Sequence, residues 1–208
     1  MTRERQGDLF PAGDSGKEVY SKREIKGLPL ADRFRPCDLS EYIGQEEILG
    51  KGTILRDAIE KDRLFSFIMW GPPGCGKTSL ARIISSRTSN YFVEFSAVTS
   101  GIPEVRKITK EAGKRLKFNG QRTVLFMDEI HRFNRAQQDA FLPHVENGTI
   151  ILIGATVENP HFAIISPLAS RLRFFPFRPL SCQEMNVLVD RVLTDEKKGL
   201  GKENIVLD

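Results

Sequence analysis

Apolar residues in this 208-residue chain fall into two alternating kinds of run. "FSFIMW" (65–70), "YFVEFSA" (91–97), "TVLFM" (123–127) and "TIILIGAT" (149–156) are short, nearly continuous and rich in β-branched and aromatic residues. Such runs predict strands buried on both faces. Between them, "SLARIISSRT" and the stretches 103–117 and 134–146 carry apolar residues at three- and four-residue steps, which predicts helices with one buried face. Strands alternating with helices imply an α/β fold with a parallel sheet flanked by helices. Beyond "FRPL" (177–180), "SCQEMNVLVDRVL" begins another amphipathic helix. Residues 1–28 show neither period, mix their charges and are punctuated by Gly and Pro, so they are expected to form a flexible arm. The expected organisation is an arm over 1–28, a core over 29–178 and the start of a helical unit over 179–208. There is no internal repeat and no low-complexity tract.

Composition adds boundaries rather than direction. At 40% hydrophobic and 28% charged residues the chain is of ordinary globular type. No apolar run approaches the ~18 residues of a membrane span, and the charged N-terminus lacks the apolar region of a secretory signal. Cys37, Cys75 and Cys182 are odd in number and have no metal-ligand spacing, which suits a reduced, cytoplasmic setting. A net charge of +4 permits nucleic-acid binding without arguing for it. Its placement says more. On a helical wheel, "PEVRKITKEAGKRLK" puts Val105, Ile108, Ala112 and Leu116 on one face, with Arg115 at its edge. Arg106, Lys107, Lys110, Lys114 and Lys117 lie on the other. That second face is either a solvated helix surface or a track for a phosphate backbone.

The chemistry is concentrated in two places. "GPPGCGKTS" spans Gly71, Pro72, Pro73, Gly74, Cys75, Gly76, Lys77, Thr78 and Ser79, and fits G-x-x-x-x-G-K-[ST] between a strand and a helix. Glycines let backbone N–H groups turn onto phosphate oxygens, Lys77 bridges the outer phosphates, and the Thr78 hydroxyl ligates Mg²⁺. About fifty residues later, "VLFMDE" ends an apolar run in an acidic pair. Asp128 is expected on the metal, usually through water, and Glu129 on the water that attacks the γ-phosphate. The ligands implied are ATP and Mg²⁺. Taken alone, Asp128-Glu129-Ile130-His131 also spells the D-E-x-H box of a helicase. His131, His144 and His161 lack metal spacing, and His131 is expected to pack or hydrogen-bond beside the site rather than carry a proton.

A family resemblance separates these readings. "PLADRFRP", "YIGQEEILGKG", "MWGPPGCGKTSLARII", "AVTSGIPEVRKI", "DEIHRFNRAQQDAFLPHVENGTIILIGATVENP" and "SPLASR", in that order, resemble the replication-associated recombination protein A (MgsA) family of AAA+ ATPases. That family is related to clamp-loader subunits and to the Holliday-junction motor RuvB. The resemblance implies a P-loop NTPase core followed by the first helix of a helical lid, and ATP hydrolysis coupled to DNA in replication-fork maintenance, recombination and repair. It places Arg35, Pro36, Ile43, Gly44 and Gln45 around the adenine and Thr156 as sensor of the γ-phosphate. Arg171 becomes a finger reaching a neighbouring subunit's site. It implies a homo-oligomer, single-stranded, gapped or forked DNA as partner, a single-strand-binding protein, and a nucleoid-associated location. Val157 stands where the family usually has a second Thr, and Ser96 where clamp loaders often carry Asn. The lid is expected to be incomplete at Asp208, with weak ATP binding and slow hydrolysis as the consequence. "QGDLF" resembles a sliding-clamp docking peptide, with Leu9 and Phe10 in an apolar pocket and Gln6 at its rim. A RuvB-like or clamp-loader motor, a D-E-x-H helicase and a non-catalytic DNA- or clamp-binding fragment stay open as alternatives.

Overall fold

A computed structural model of the protein describes residues 28–96 and 101–203, and the Gln6–Phe10 peptide lies outside the described residues. Helices α1 (Leu30–Arg33), α2 (Glu46–Leu49) and α3 (Ile54–Glu60) precede strand β1 (Phe67–Trp70). There follow α4 (Lys77–Arg87), β2 (Tyr91–Ser96), α5 (Ile102–Asn119), β3 (Thr123–Asp128), a 3-10 turn (Ile130–Arg132), α6 (Arg135–Glu146) and β4 (Ile150–Thr156). The described chain ends through α7 (Pro160–Ala163), α8 (Ser166–Ala169), β5 (Arg173–Pro176) and α9 (Cys182–Thr194).

The strands form one sheet in the order β2-β3-β4-β1-β5, every neighbouring pair parallel. Alternate side chains of each strand enter different cores, as the two-residue period of a strand requires. Val124 and Phe126 of β3, with Ile151, Ile153 and Ala155 of β4, pack against Leu55 and Ile59 of α3 and Leu80, Ile83 and Ile84 of α4. Leu125 and Met127, with Ile150 and Leu152, pack on the other side against Val105 and Ala112 of α5 and Phe141 of α6. Burial on both faces is why these strands read as continuous apolar runs.

One strand differs from the sequence expectation. Strand β5 (Arg-Phe-Phe-Pro) lies at the sheet edge, with both end residues exposed. It reads as loop because only one side of it is paired, and because Pro176 has no N–H to give. Its place is fixed by backbone bonds at each end, from Arg173 N–H to the Ser66 carbonyl (3.2 Å) and from Phe177 N–H to the Trp70 carbonyl (2.6 Å). Because all strands are parallel, the ends of β1, β3 and β4 lie on one edge of the sheet, the usual place for a ligand in such folds.

Candidate functional site

Strand β1 gives way to the glycine loop at Gly71, whose N–H donates to the Thr156 carbonyl at the end of β4 (3.1 Å). Gly74 and Gly76 hold the loop in left-handed conformations, φ +78° and +100°. Helix α4 starts at Lys77, so its free N–H groups face the loop. Lys77 is buried, and its ammonium donates to the carbonyls of Gly71 (2.7 Å) and Pro72 (2.8 Å) and to Cys75 Sγ (3.6 Å). Cys75 itself is a core residue. Tyr42 donates its hydroxyl to the Cys75 carbonyl (3.5 Å). Burial, with the Cys75 thiol adding to it, pushes the Tyr42 phenol above its ordinary range, so it stays a neutral donor.

The acidic pair closes the other side. The Thr78 hydroxyl donates to Asp128 Oδ2 (3.4 Å) across fifty residues of sequence. Glu129 has φ +54°, a conformation that costs a non-glycine residue about 1 kcal/mol or more. Its N–H donates to Asp128 Oδ1 (3.1 Å). What holds this turn is the packing beneath it. Ile130 and Phe133 are buried, and Phe133 meets the rings of Phe95 and Phe141 at 5.7 and 6.3 Å. His131 stands between Glu129 Oε2 (Nε2, 3.1 Å) and Thr156 Oγ1 (Nδ1, 3.1 Å). This agrees with its expected place as a hydrogen-bonding neighbour of the site.

A cleft of about 1110 Å³ gathers these groups. Pro73 through Ser79, Asp128 and Glu129 line it, together with Arg35, Pro36 and Ile43. Other expected residues lie elsewhere. Gly71 and Pro72 do not line the cleft, and their carbonyls accept from Lys77. Gln45 is buried with its amide donating to the carbonyls of Arg178 (2.6 Å) and Cys75 (3.4 Å) and accepting from Arg178 N–H (3.1 Å). It therefore ties the loop to the approach of α9 rather than facing the cleft. Gly44 packs against Leu180 and Glu184. Thr156 is fully buried and meets Glu129 only through His131.

Arg171 precedes β5, whose Arg173 pairs with Phe67 at the start of β1. The glycine loop leaves the opposite end of that strand. Arg171 is therefore turned away from its own chain's site, and it pairs with Glu146 Oε1 (2.5 Å) and the Pro167 carbonyl (2.7 Å). On α5, Arg106, Lys107, Lys110, Lys114 and Lys117 are all exposed. Arg115 turns inward onto the Tyr91 ring (3.7 Å) and Glu111 (3.2 Å).

Sequence reasoning missed Leu188, Arg191 and Val192, which α9 brings over the cleft, and Tyr42 beneath the loop. It also missed Gln138, a buried amide bonded to the carbonyls of Phe133 (3.1 Å) and Ala163 (2.9 Å) and to Ile165 N–H (3.0 Å). The signal for Gln138 was available, since it stands three residues before Phe141 on the buried stripe of α6.

Thr78 and Asp128 offer a hydroxyl and a carboxylate, the hard oxygen donors Mg²⁺ takes. Among the described residues no group of three His, Cys, Asp or Glu side chains could hold a metal ion.

A glycine loop at the end of β1, an acidic pair at the end of β3 and a buried hydroxyl at the end of β4, on a 2-3-4-1-5 parallel sheet, define an ATPase core of the AAA type. The family model described as "ATPase family associated with various cellular activities (AAA)" matches residues 67–180, and the chain belongs to that family. Within it, the chain is 49% identical over 180 residues to Replication-associated recombination protein A of Escherichia coli K12 and 47% identical over 180 residues to that of Haemophilus influenzae. Each alignment covers 86% of this chain and 40% of the relative, so the chain spans about two fifths of the length of these curated relatives. Among solved structures it is similar to the Thermotoga maritima RuvB Holliday junction branch migration motor. There the TM-score is 0.64 and the identity 29%, over 78% of this chain and 54% of that one. Among the described residues, no helix is long and apolar enough to cross a membrane.

Proposed function

We propose that the chain binds ATP with Mg²⁺ and hydrolyses it, as the motor core of a homo-oligomer that acts on DNA during replication-fork maintenance, recombination and repair. The observation that carries the ATPase reading is the 3.4 Å approach of Thr78 to Asp128, with Glu129 beside it on the same cleft. Lys77 and the N–H groups of the loop and of α4 hold the phosphates. Thr78 and Asp128 hold the metal, which supplies positive charge to the phosphate oxygens. Glu129 takes a proton from the attacking water. Thr156 reports on the γ-phosphate, and Arg171 serves a neighbouring chain. The core over 29–178 carries the chemistry, and α9 begins the lid that closes on the base through Leu188 and Val192. The DNA part of the reading draws on the names of the relatives and on the cationic face of α5.

Replacing Glu129 with Gln keeps the side chain's size and removes the base. Turnover is expected to fall by about 10²–10⁴-fold with ATP affinity unchanged. Equal turnover by both proteins sinks the assignment, and a wild type that never turns over leaves the non-catalytic reading in its place. For DNA, Lys107→Glu, Lys110→Glu and Lys114→Glu together are expected to abolish binding at low salt and to flatten its salt dependence. Unchanged affinity would remove α5 from the interface.

A further inference from the structure

Among the described residues, His131 is the one side chain hydrogen-bonded to both Glu129 and Thr156, and its partners constrain how it carries its protons. Glu129 Oε2, 3.1 Å from Nε2, can only accept while it is ionised, so Nε2 carries hydrogen. Glu158 Oε1, 3.8 Å from the same nitrogen, adds negative potential there and favours that arrangement. The ring's other nitrogen, Nδ1, faces a second partner. Thr156 Oγ1 is 3.1 Å away. That oxygen accepts from Glu158 N–H (3.0 Å), and its hydroxyl reaches the Glu158 carbonyl at 3.4 Å. The Thr156 hydroxyl is therefore shared between the His131 ring and the Glu158 backbone. The result is one hydrogen-bonded chain that runs from Glu158 N–H to the Thr156 oxygen, from Thr156 to His131 Nδ1, and from His131 Nε2–H to Glu129.

This chain is enclosed and rigidly mounted. The His131 side chain is 11% exposed and Thr156 fully buried. His131 sits on a single 3-10 turn anchored on either side by the buried Ile130 and Phe133. Glu129, by contrast, is half exposed and sits in a left-handed backbone that does not by itself aim its carboxylate. Arg132 Nε, at 3.9 Å, is too distant to aim it by a hydrogen bond.

We propose that His131 is a positioning residue: it fixes the Glu129 carboxylate relative to Thr156, so that the group proposed to read the γ-phosphate and the group proposed to activate water move as one unit. The proposal rests on the ATPase reading for its consequence, but its physical content, a hydrogen-bonded Thr156–His131–Glu129 chain, does not need turnover to be examined.

The kinetic test compares His131→Ala, Thr156→Val and the double variant in the full chain, with a fluorescent ATP analogue reporting affinity. His131→Ala is expected to lower kcat by about 10–100-fold, the range for groups that orient a reacting partner, with affinity unchanged. The double variant is expected to be no slower than the slower single one, because both break the same chain. Losses that multiply, or a parallel loss of affinity, overturn the proposal. The second readout is ¹⁵N NMR of the histidine rings. The sequence holds three histidines, so His144 and His161 serve as internal references. Wild type is expected to show His131 with hydrogen on Nε2, and Thr156→Val to shift the Nδ1 resonance while the other two rings stay put. An unmoved His131 spectrum rejects the chain. A wild type that binds ATP without turnover refutes the ATPase reading alone, and the spectrum still decides the proposal.

Discussion

Gly76 shows how narrowly the glycine loop is built. Its φ of +100° lies outside what side-chain-bearing residues readily adopt, and a Cβ there would stand 2.2 Å from the Tyr42 hydroxyl and 2.9 Å from its ring carbon Cζ. Gly74, at φ +78°, has nothing within 4 Å of the same position. The two glycines thus separate backbone strain from steric exclusion. Gly74→Ala is expected to lower stability by about 1–2 kcal/mol, the left-handed cost alone. Gly76→Ala should cost more, and should also weaken ATP binding by displacing the loop at the start of α4. Adding Tyr42→Phe removes the nearest atom but leaves the ring carbon, so it is expected to recover only part of the loss. Thermal denaturation and nucleotide titration of the three proteins check this, and equal effects at both glycines would show that Tyr42 does not confine the loop. The motif letters fix the need for glycine at position 76, whereas Tyr42 comes from a segment 34 residues away and has no local signature.

At the scale of elements, the turn after α3 is locked to the start of β2 by one carboxylate. Asp62 accepts from Thr88 Oγ1 (2.6 Å), Ser89 N–H (2.9 Å) and Ser89 Oγ (2.5 Å), and more distantly from Asn90 Nδ2 (3.4 Å). Burial draws its carboxyl upward, but the hydrogen bonds from Ser89, Thr88 and Asn90 outweigh it and hold the value below the ordinary one. A folded-state value below the unfolded one means stability that is complete above about pH 3.9 and lost as pH falls through the depressed value. Asp62→Asn tolerates the left-handed backbone (φ +49°) and removes the charge. It is expected to lower stability by about 1 kcal/mol at pH 7, discounted for partial exposure, with the deficit shrinking in the acid limb. Denaturant midpoints across pH measure both, and a deficit that persists unchanged in acid would assign the effect to shape rather than charge. Elements of this fold were legible wherever the signal was local. β3 and β4 announce themselves by unbroken apolar runs, and α9 by Ser181 and Glu184, which cap each other's backbone N–H groups (3.2 and 2.6 Å). β5 and the one-turn helices α7 and α8 are too short for any period to show, and neighbours far off in sequence hold them in place. The candidate site divides the same way. The loop and the acidic pair are contiguous strings, while the Thr156–His131–Glu129 grouping exists only once β4 lies beside β3.

In the whole molecule, Arg35 and Arg171 stand at opposite ends of the sheet. Arg35 lines the cleft at the strand ends, whereas Arg171 stands at the strand beginnings, held by Glu146 and the Pro167 carbonyl. The three groups Arg171 meets, Glu146, the Pro167 carbonyl and Ser170 Oγ (2.9 Å), are all on its own chain, and its side chain is 40% exposed, so the contact with Glu146 is a surface ion pair that a stronger anion can displace. A residue so placed serves catalysis only if a second copy brings its cleft to it, a head-to-tail contact that propagates around a ring. Arg171→Ala is then expected to lose turnover by about 10³–10⁵-fold with ATP affinity intact. Glu129→Gln is expected to be inactive for a different reason, and it still offers Arg171 to a neighbour. Mixing the two inactive proteins in equal amounts creates sites in which an intact Glu129 faces an intact Arg171. About one in four sites is of this kind in a randomly assembled head-to-tail ring. The mixture is expected to regain that fraction of wild-type turnover, rising with protein concentration as subunits associate. If the mixture stays silent while both variants remain folded and bind ATP, Arg171 does not act between chains, and its pairing with Glu146 is its whole role.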